Sequence, residues 1–290
     1  MGGTQYGKFQ SFCKDATLPV CNILVANNQP PEAAYGGCIL RGITLSNNRN
    51  LANLGSILLA GLAILVTLFL LWRAERKAAA VGRREMQLFL AGFLVIEICE
   101  IFTVGGFPLH NDVRKGFSAV HIAAIVATTW ILLMNAVVGY QLLDDGTALS
   151  LGLIGFTSLA LFVGTGYVAL DTAFSWSGFW DSSLEPPHQN YALYTLYQLA
   201  PLVFLFLFFV LESVLVLRIL GETKPMVYLV AAALLFAIGQ VFMYVVSKHI
   251  CSGTDGKING TLFETLFTLL SVVAIFVFWS SITEDDWPVQ

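Results

Sequence analysis

Glu97, Glu100, His121, Glu212 and Glu264 sit inside long apolar stretches, where an ionisable side chain needs either a partner or a task. At the centre of a bilayer such a group costs about 2.5–3.5 kcal/mol on insertion scales. Glu97 and Glu100 are three residues apart and share one face of a helix. Glu100 and His121 fall at similar depth near the ends of consecutive apolar segments, so a carboxylate and an imidazole can meet there. Such a pair stabilises helix packing, and the same atoms can relay a proton. One pair makes no path across a membrane, which favours packing. Glu97, Glu100, His121, Glu212 and Gln240 are therefore candidate intramembrane polar contacts.

Zinc chemistry is the second option. His110, His121, His188 and His249, with Glu100, Asp112 or Asp171, could supply the three protein ligands that leave a position open for water. No two histidines lie three or four apart, however, and no H-E-x-x-H occurs. The last apolar stretch, TLFETLFTLLSVVAIFVFWSS, has no lysine for a retinal-type Schiff base. Nucleotide loops and a G-x-S-x-G elbow are absent. The expectation is a protein that is not an enzyme, with no catalytic residue, no metal ligand, no cofactor and no nucleic-acid partner.

The elements that carry these residues follow from composition. The chain has 290 residues, 57% hydrophobic and 12% charged, with a mean hydropathy of +0.74. Soluble domains carry about 25% charged residues. A helix crosses the hydrocarbon core with about 20 apolar residues. Seven segments qualify: Leu51 to Trp72, Met86 to Val104, Phe117 to Tyr140, Leu149 to Leu170, Tyr191 to Leu217, Met226 to Val246 and Gly260 to Ser280. The fold class is all-α, a polytopic membrane protein with seven transmembrane helices. Ala52, Ser56 and Ala60 on the first, and Gly152, Gly155, Gly164 and Gly166 on the fourth, are expected to let backbones approach. Pro201 is expected to kink the fifth.

The first fifty residues lack the apolar core of a signal peptide, so the first span is expected to act as its own insertion signal. The basic RAERKAAAVGRR after that span keeps the later flank cytosolic. This predicts a lumenal N-terminus and a cytosolic C-terminus. The chain then divides into a lumenal cysteine-containing segment (1–50), a seven-helix bundle (51–282) and a short acidic cytosolic tail (283–290). Cys13, Cys21, Cys38 and Cys251 fall on the lumenal side, where disulfides persist. Of three pairings, Cys13 with Cys21 and Cys38 with Cys251 is favoured by the short separation of the first pair. Asn259-Gly260-Thr261 is a glycosylation sequon so close to a span that modification is not expected. The cytosolic DDGT connection places Gly146 to cap the third helix and Thr147 to cap the fourth. Asp144 and Asp145 would then sit at the unfavourable end of the third helix dipole.

Five blocks of sequence carry a resemblance: FCKDATLPVC from Phe12, AVGRREM from Ala80, NAVVGYQLLDDGTALSL from Asn135, IGQVFMYVVSKHIC from Ile238 and WSSITEDD from Trp279. Together, in this order, they resemble the fungal chitin synthase export chaperone family. The resemblance implies an endoplasmic reticulum membrane protein that helps a multi-spanning chitin synthase fold and leave toward the cell surface, supporting cell-wall synthesis. Partners implied are that synthase, vesicle coat components and membrane lipids. Asp144, Asp145, Glu284, Asp285 and Asp286 become candidate contacts for client or coat, Glu284-x-Asp286 having the spacing of an export signal. Two other functions stay open from the residues alone: a lumen-facing metal-dependent lipid hydrolase, and a small-molecule transporter or receptor.

Overall fold

The computed structural model describes residues 5–26, 34–45, 49–77, 79–104, 109–141 and 145–283. Two short helices open the chain, α1 (Gln10–Asp15) and α2 (Pro19–Ile23), followed by a hairpin of β1 (Gly42–Leu45) and β2 (Arg49–Ala52). The two strands pair antiparallel with Ile43 opposite Leu51. Seven helices long and apolar enough to cross a membrane come next: α3 (Leu54–Glu75), α4 (Arg83–Thr103), α5 (Asn111–Gly139), α6 (Ala148–Phe174), α7 (Tyr191–Leu220), α8 (Lys224–Gly253) and α9 (Gly260–Ser281). The hairpin modifies the all-α reading. Leu51 and Ala52, read from hydropathy as the start of the first span, belong to β2, and the span begins after Asn53, whose φ of 52° breaks the strand.

The most buried helix is α5, which packs against α4, α6 and α7, while α9 packs on α8 and α3. The tightest approach between spans α4 and α5 is at Gly92, a glycine not singled out from sequence. A Cβ on Gly92 would overlap the Thr128 hydroxyl, so α4 and α5 touch there. On α6, Gly166 faces the Ala123 methyl at 3.7 Å, but Gly152, Gly155 and Gly164 have nothing within 4 Å. Small residues permit contact without specifying it. Ser56 and Ala60 are buried in α3, with the Ser56 hydroxyl 3.1 Å from that of Thr261 on α9.

Three stretches are π-helical: Tyr194–Leu199 and Leu215–Leu220 in α7, and Phe242–Val246 in α8. The first ends two residues before Pro201. Proline has no N–H and its ring crowds the carbonyl four residues back, so the widened turn is where α7 takes up that misfit.

The N-terminal segment caps one end of the bundle. In α2 every residue is buried, and Val20, Ile23 and the following Leu24 are fully so. They join a core with Ala119 and Ile122 of α5, Ala169 and Ala173 of α6, Tyr197 of α7 and Met243 of α8. Burying each such aliphatic side chain stabilises by about 1.5–3 kcal/mol. Polar contacts orient the cap: the Asn22 amide donates to the Thr103 carbonyl (3.0 Å) and the Ser118 hydroxyl (2.9 Å). Phe9 N donates to His188 O (3.2 Å), and Lys248 pairs with Asp15 at 3.1 Å. Cys13–Cys21 and Cys38–Cys251 are disulfides, with Cα atoms 5.5 and 6.2 Å apart, and the second ties the cap to the end of α8. Cys99 is a buried free thiol.

Candidate functional site

Directly under the cap, four helices bring polar side chains into one layer. Thr103, at the end of α4, donates its hydroxyl hydrogen to the Cys99 carbonyl (3.0 Å). Its oxygen is 2.9 Å from His121 Nδ1 on α5 and must therefore accept from that nitrogen. The neutral imidazole then presents a bare Nε2, and Glu100 Oε2 faces it at 3.6 Å. Two acceptors face each other, so the pair is satisfied only when it holds one further proton. The pairing read from sequence depth is thus present, with Thr103 as an unforeseen third member that sets the tautomer.

Glu264 extends the layer from α9. Its Oε1 accepts from the Thr268 hydroxyl (2.9 Å) and, at 3.5 Å, from the Gln240 amide on α8. Glu97 and Glu100 both lie within electrostatic reach of Glu264 and of each other. Glu97 is 3% exposed and its Oε2 has no hydrogen-bond partner. The wall on the α7–α8 side comes from the two π-helical turns: Gln198 Nε2 donates to the Tyr244 hydroxyl (2.7 Å), which returns its hydrogen to Gln198 Oε1 (3.1 Å). Gln198, Gln240, Tyr244 and Glu264 all keep part of their surface accessible. Sequence reading found the acids and amides one by one. It missed Tyr197 and Tyr244, whose signal would have been a tyrosine amid aliphatic residues on consecutive spans.

Glu212 stands apart in α7, 4% exposed, with Oε2 unpartnered and Tyr140 within electrostatic reach. The Tyr140 hydroxyl donates to the neighbouring Leu211 carbonyl at 2.6 Å. The histidines are scattered. Exposed His110 lies 3.5 Å from Asp112, His249 is exposed, and buried His188 lies tilted against Tyr35 with ring centroids 4.7 Å apart. Among the described residues no group of three or more His, Cys, Asp and Glu is placed to hold a metal ion.

At the opposite end, two helix N-termini exchange acids. Asp145, just before α6, accepts from Gly82 N at the start of α4 (3.2 Å). Glu85, in the first turn of α4, accepts from Gly146 N and the Ser150 hydroxyl at the start of α6, both at 3.1 Å. Each carboxylate sits at the positive end of a helix dipole. This corrects the assignment of Asp145 to the unfavourable end of α5. That helix finishes at Gly139 with Gln141 left-handed, so Gly146 caps nothing of α5; its φ of +66° shapes the turn into α6. Thr147 is the N-cap of α6, accepting from Ser150 N at 3.2 Å. Asp144, Glu284, Asp285 and Asp286 lie outside the described residues. Asn259 is 2% exposed and serves as the N-cap of α9, with its amide donating to Thr17 at 3.0 Å, so the sequon is part of the cap joint.

Seven apolar helices under a disulfide-tied cap, with a polar layer between them, define a polytopic helical membrane protein. The family model for chitin synthase export chaperones matches residues 5–290. A chitin synthase export chaperone of Coccidioides immitis is 30% identical over 97% of this chain and 83% of its own length. One from Phaeosphaeria nodorum is 31% identical over 97% and 83%, and one from Neurospora crassa 30% over 97% and 78%. No solved structure matches. The chain belongs to the chitin synthase export chaperone family.

Proposed function

We propose that this protein resides in the endoplasmic reticulum membrane and binds a chitin synthase there without covalent chemistry, keeping it competent to leave for the cell surface. The family match over residues 5–290 carries this reading. Physical features support it. The longest described connection between spans, 175–190, is far too small to hold a glycosyl-transfer domain. Both disulfides are on the capped end, which suits an oxidising lumen on that side. The basic flank after α3, where Arg76 stacks on Trp72 at 3.9 Å, suits the cytosolic leaflet. On this reading the capped end faces the lumen, and Asp145 and Glu85 with their partners Gly82, Gly146 and Ser150 face the cytosol. On that side Asp144, Asp145 and the tail acids Glu284, Asp285 and Asp286 are offered to client or coat.

Removing the protein is expected to leave its client synthase retained in the endoplasmic reticulum and restoring it to return the synthase to the surface, followed by a fluorescent tag on each synthase. Normal delivery of every synthase without it would refute this reading.

A further inference from the structure

The polar layer under the cap leaves a buried carboxyl oxygen without a hydrogen-bond partner. Glu97, Glu100 and Glu264 bring six carboxylate oxygens together. The hydrogen bonds made to them come from the Thr268 hydroxyl and, at 3.5 Å, from the Gln240 amide, while His121 Nε2 faces Glu100 at 3.6 Å. The Oε2 of Glu97 receives nothing although its side chain is 3% exposed, and burying an unsatisfied charged or polar atom in this way is costly. Among the described residues no lysine or arginine lies within electrostatic reach of the three acids, which are surrounded by each other, Gln240, Thr268, His121, Tyr197 and Tyr244. The layer is bordered on one side by the π-helical turns of α7 and α8. Gln198 and Tyr244 belong to π-helical turns on α7 and α8, a geometry frequent at functional sites, and their reciprocal hydrogen bonds join the two turns beside the apolar packing of Tyr197 and Met243.

We propose that this layer is a docking site for a basic side chain on a transmembrane helix of the client, admitted between α7 and α8 when the Gln198–Tyr244 pair opens. The inference rests on the chaperone reading above and specifies its chemistry. A lysine or arginine exposed on an unassembled span is expensive in lipid, and an acceptor-rich pocket at span depth offsets that cost until the client's own helices assemble. Hydrogen-bond complementarity selects this occupant: a helix with only aliphatic side chains leaves Glu97 Oε2 without a partner. An arginine or lysine brings several N–H donors and a positive charge to it.

The test uses the full chain co-expressed with tagged chitin synthases. A photo-cross-linking phenylalanine analogue replaces Tyr244 in one strain and Tyr228, on the far half of α8, in another. Synthase is expected to cross-link from position 244 and not from position 228. In parallel, Glu97→Gln with Glu264→Gln is expected to lower recovery of synthase with the protein about tenfold, as loss of one to two charge-assisted contacts would. Retention of the Cys38–Cys251 bond reports that the double variant has folded. If synthase co-purifies with the native chain but cross-links only from position 228 or from neither, the site is wrong while the chaperone reading stands. Undiminished recovery with the folded double variant overturns it equally. If no synthase co-purifies with the native chain, both readings fall.

Discussion

Glu85 shows how a single side chain can matter without lying near the polar layer. It is fully buried, and its Oε1 accepts two hydrogen bonds from the start of α6 while its Oε2 accepts none. Glu85→Ala leaves two donors unpaired and is expected to cost about 2–3 kcal/mol. Asp145→Ala removes one exposed cap and should cost about 0.5–1 kcal/mol. Unfolding in detergent measures both, and equal costs would mean that the exchange of acids contributes nothing special. His188 supplies a pH dependence of known sign. Burial holds its imidazole below the ordinary range, with the backbone of Ser183 and Leu24 acting weakly the other way, and neither ring nitrogen makes a well-aligned hydrogen bond. The folded state thus binds the proton less readily than the unfolded chain. The His188 contribution to stability is complete above about pH 6.5, the unfolded value, and is lost as pH falls through the lower folded value. His188→Phe should flatten melting temperature against pH between about 7 and 5; an unchanged slope would exclude His188 as its source. The Glu100–His121 pair was legible in the sequence because two consecutive helices run antiparallel and depth can be counted along each. The exchange between Glu85 and Asp145 was not, since it depends on how two loops separated by a whole hairpin of helices are brought side by side.

Among the elements, the seven spans were readable from hydropathy because lipid forces every backbone polar group into a helical bond, whatever the packing. What hydropathy misses is where a span stops being helix for other reasons. The hairpin before α3 took two apolar residues, Leu51 and Ala52, that composition alone assigns to the membrane. The π-helical turns leave no trace in composition except Pro201 beyond the first of them. Glycines divide the same way. Gly92→Ala drives a methyl into Thr128 and is expected to destabilise the α4–α5 contact by about 1–3 kcal/mol. Gly155→Ala meets open space and, through better helix propensity, should be neutral or stabilising by up to about 1 kcal/mol. Thermal unfolding of the two variants side by side decides. Similar losses would show that the face of α6 around Gly155 is occupied by another helix in the folded protein.

At the scale of the whole molecule, the cap sits over one end of the bundle, and its two disulfides do different work. Cys13–Cys21 closes a loop with a separation of 8 residues and shapes the α1–α2 turn, whereas Cys38–Cys251 spans 213 residues and ties the segment to the far part of the chain. In the chain-entropy account the first restricts the unfolded state by about 2.5 kcal/mol and the second by about 5 kcal/mol. The apolar seat of α2, with Val20, Ile23 and Leu24 buried, remains in either variant. Losing the long tie should therefore loosen the cap without emptying the bundle. The expected result is that Cys38→Ser with Cys251→Ser lowers stability more than Cys13→Ser with Cys21→Ser. Trypsin should also cut at exposed Lys14 faster in the first variant, while fragments containing α3 to α9 stay resistant. If the short loop proves the costlier loss, the cap is held by its own turn, and access to Glu97, Glu100 and Glu264 would then be controlled only from between α7 and α8.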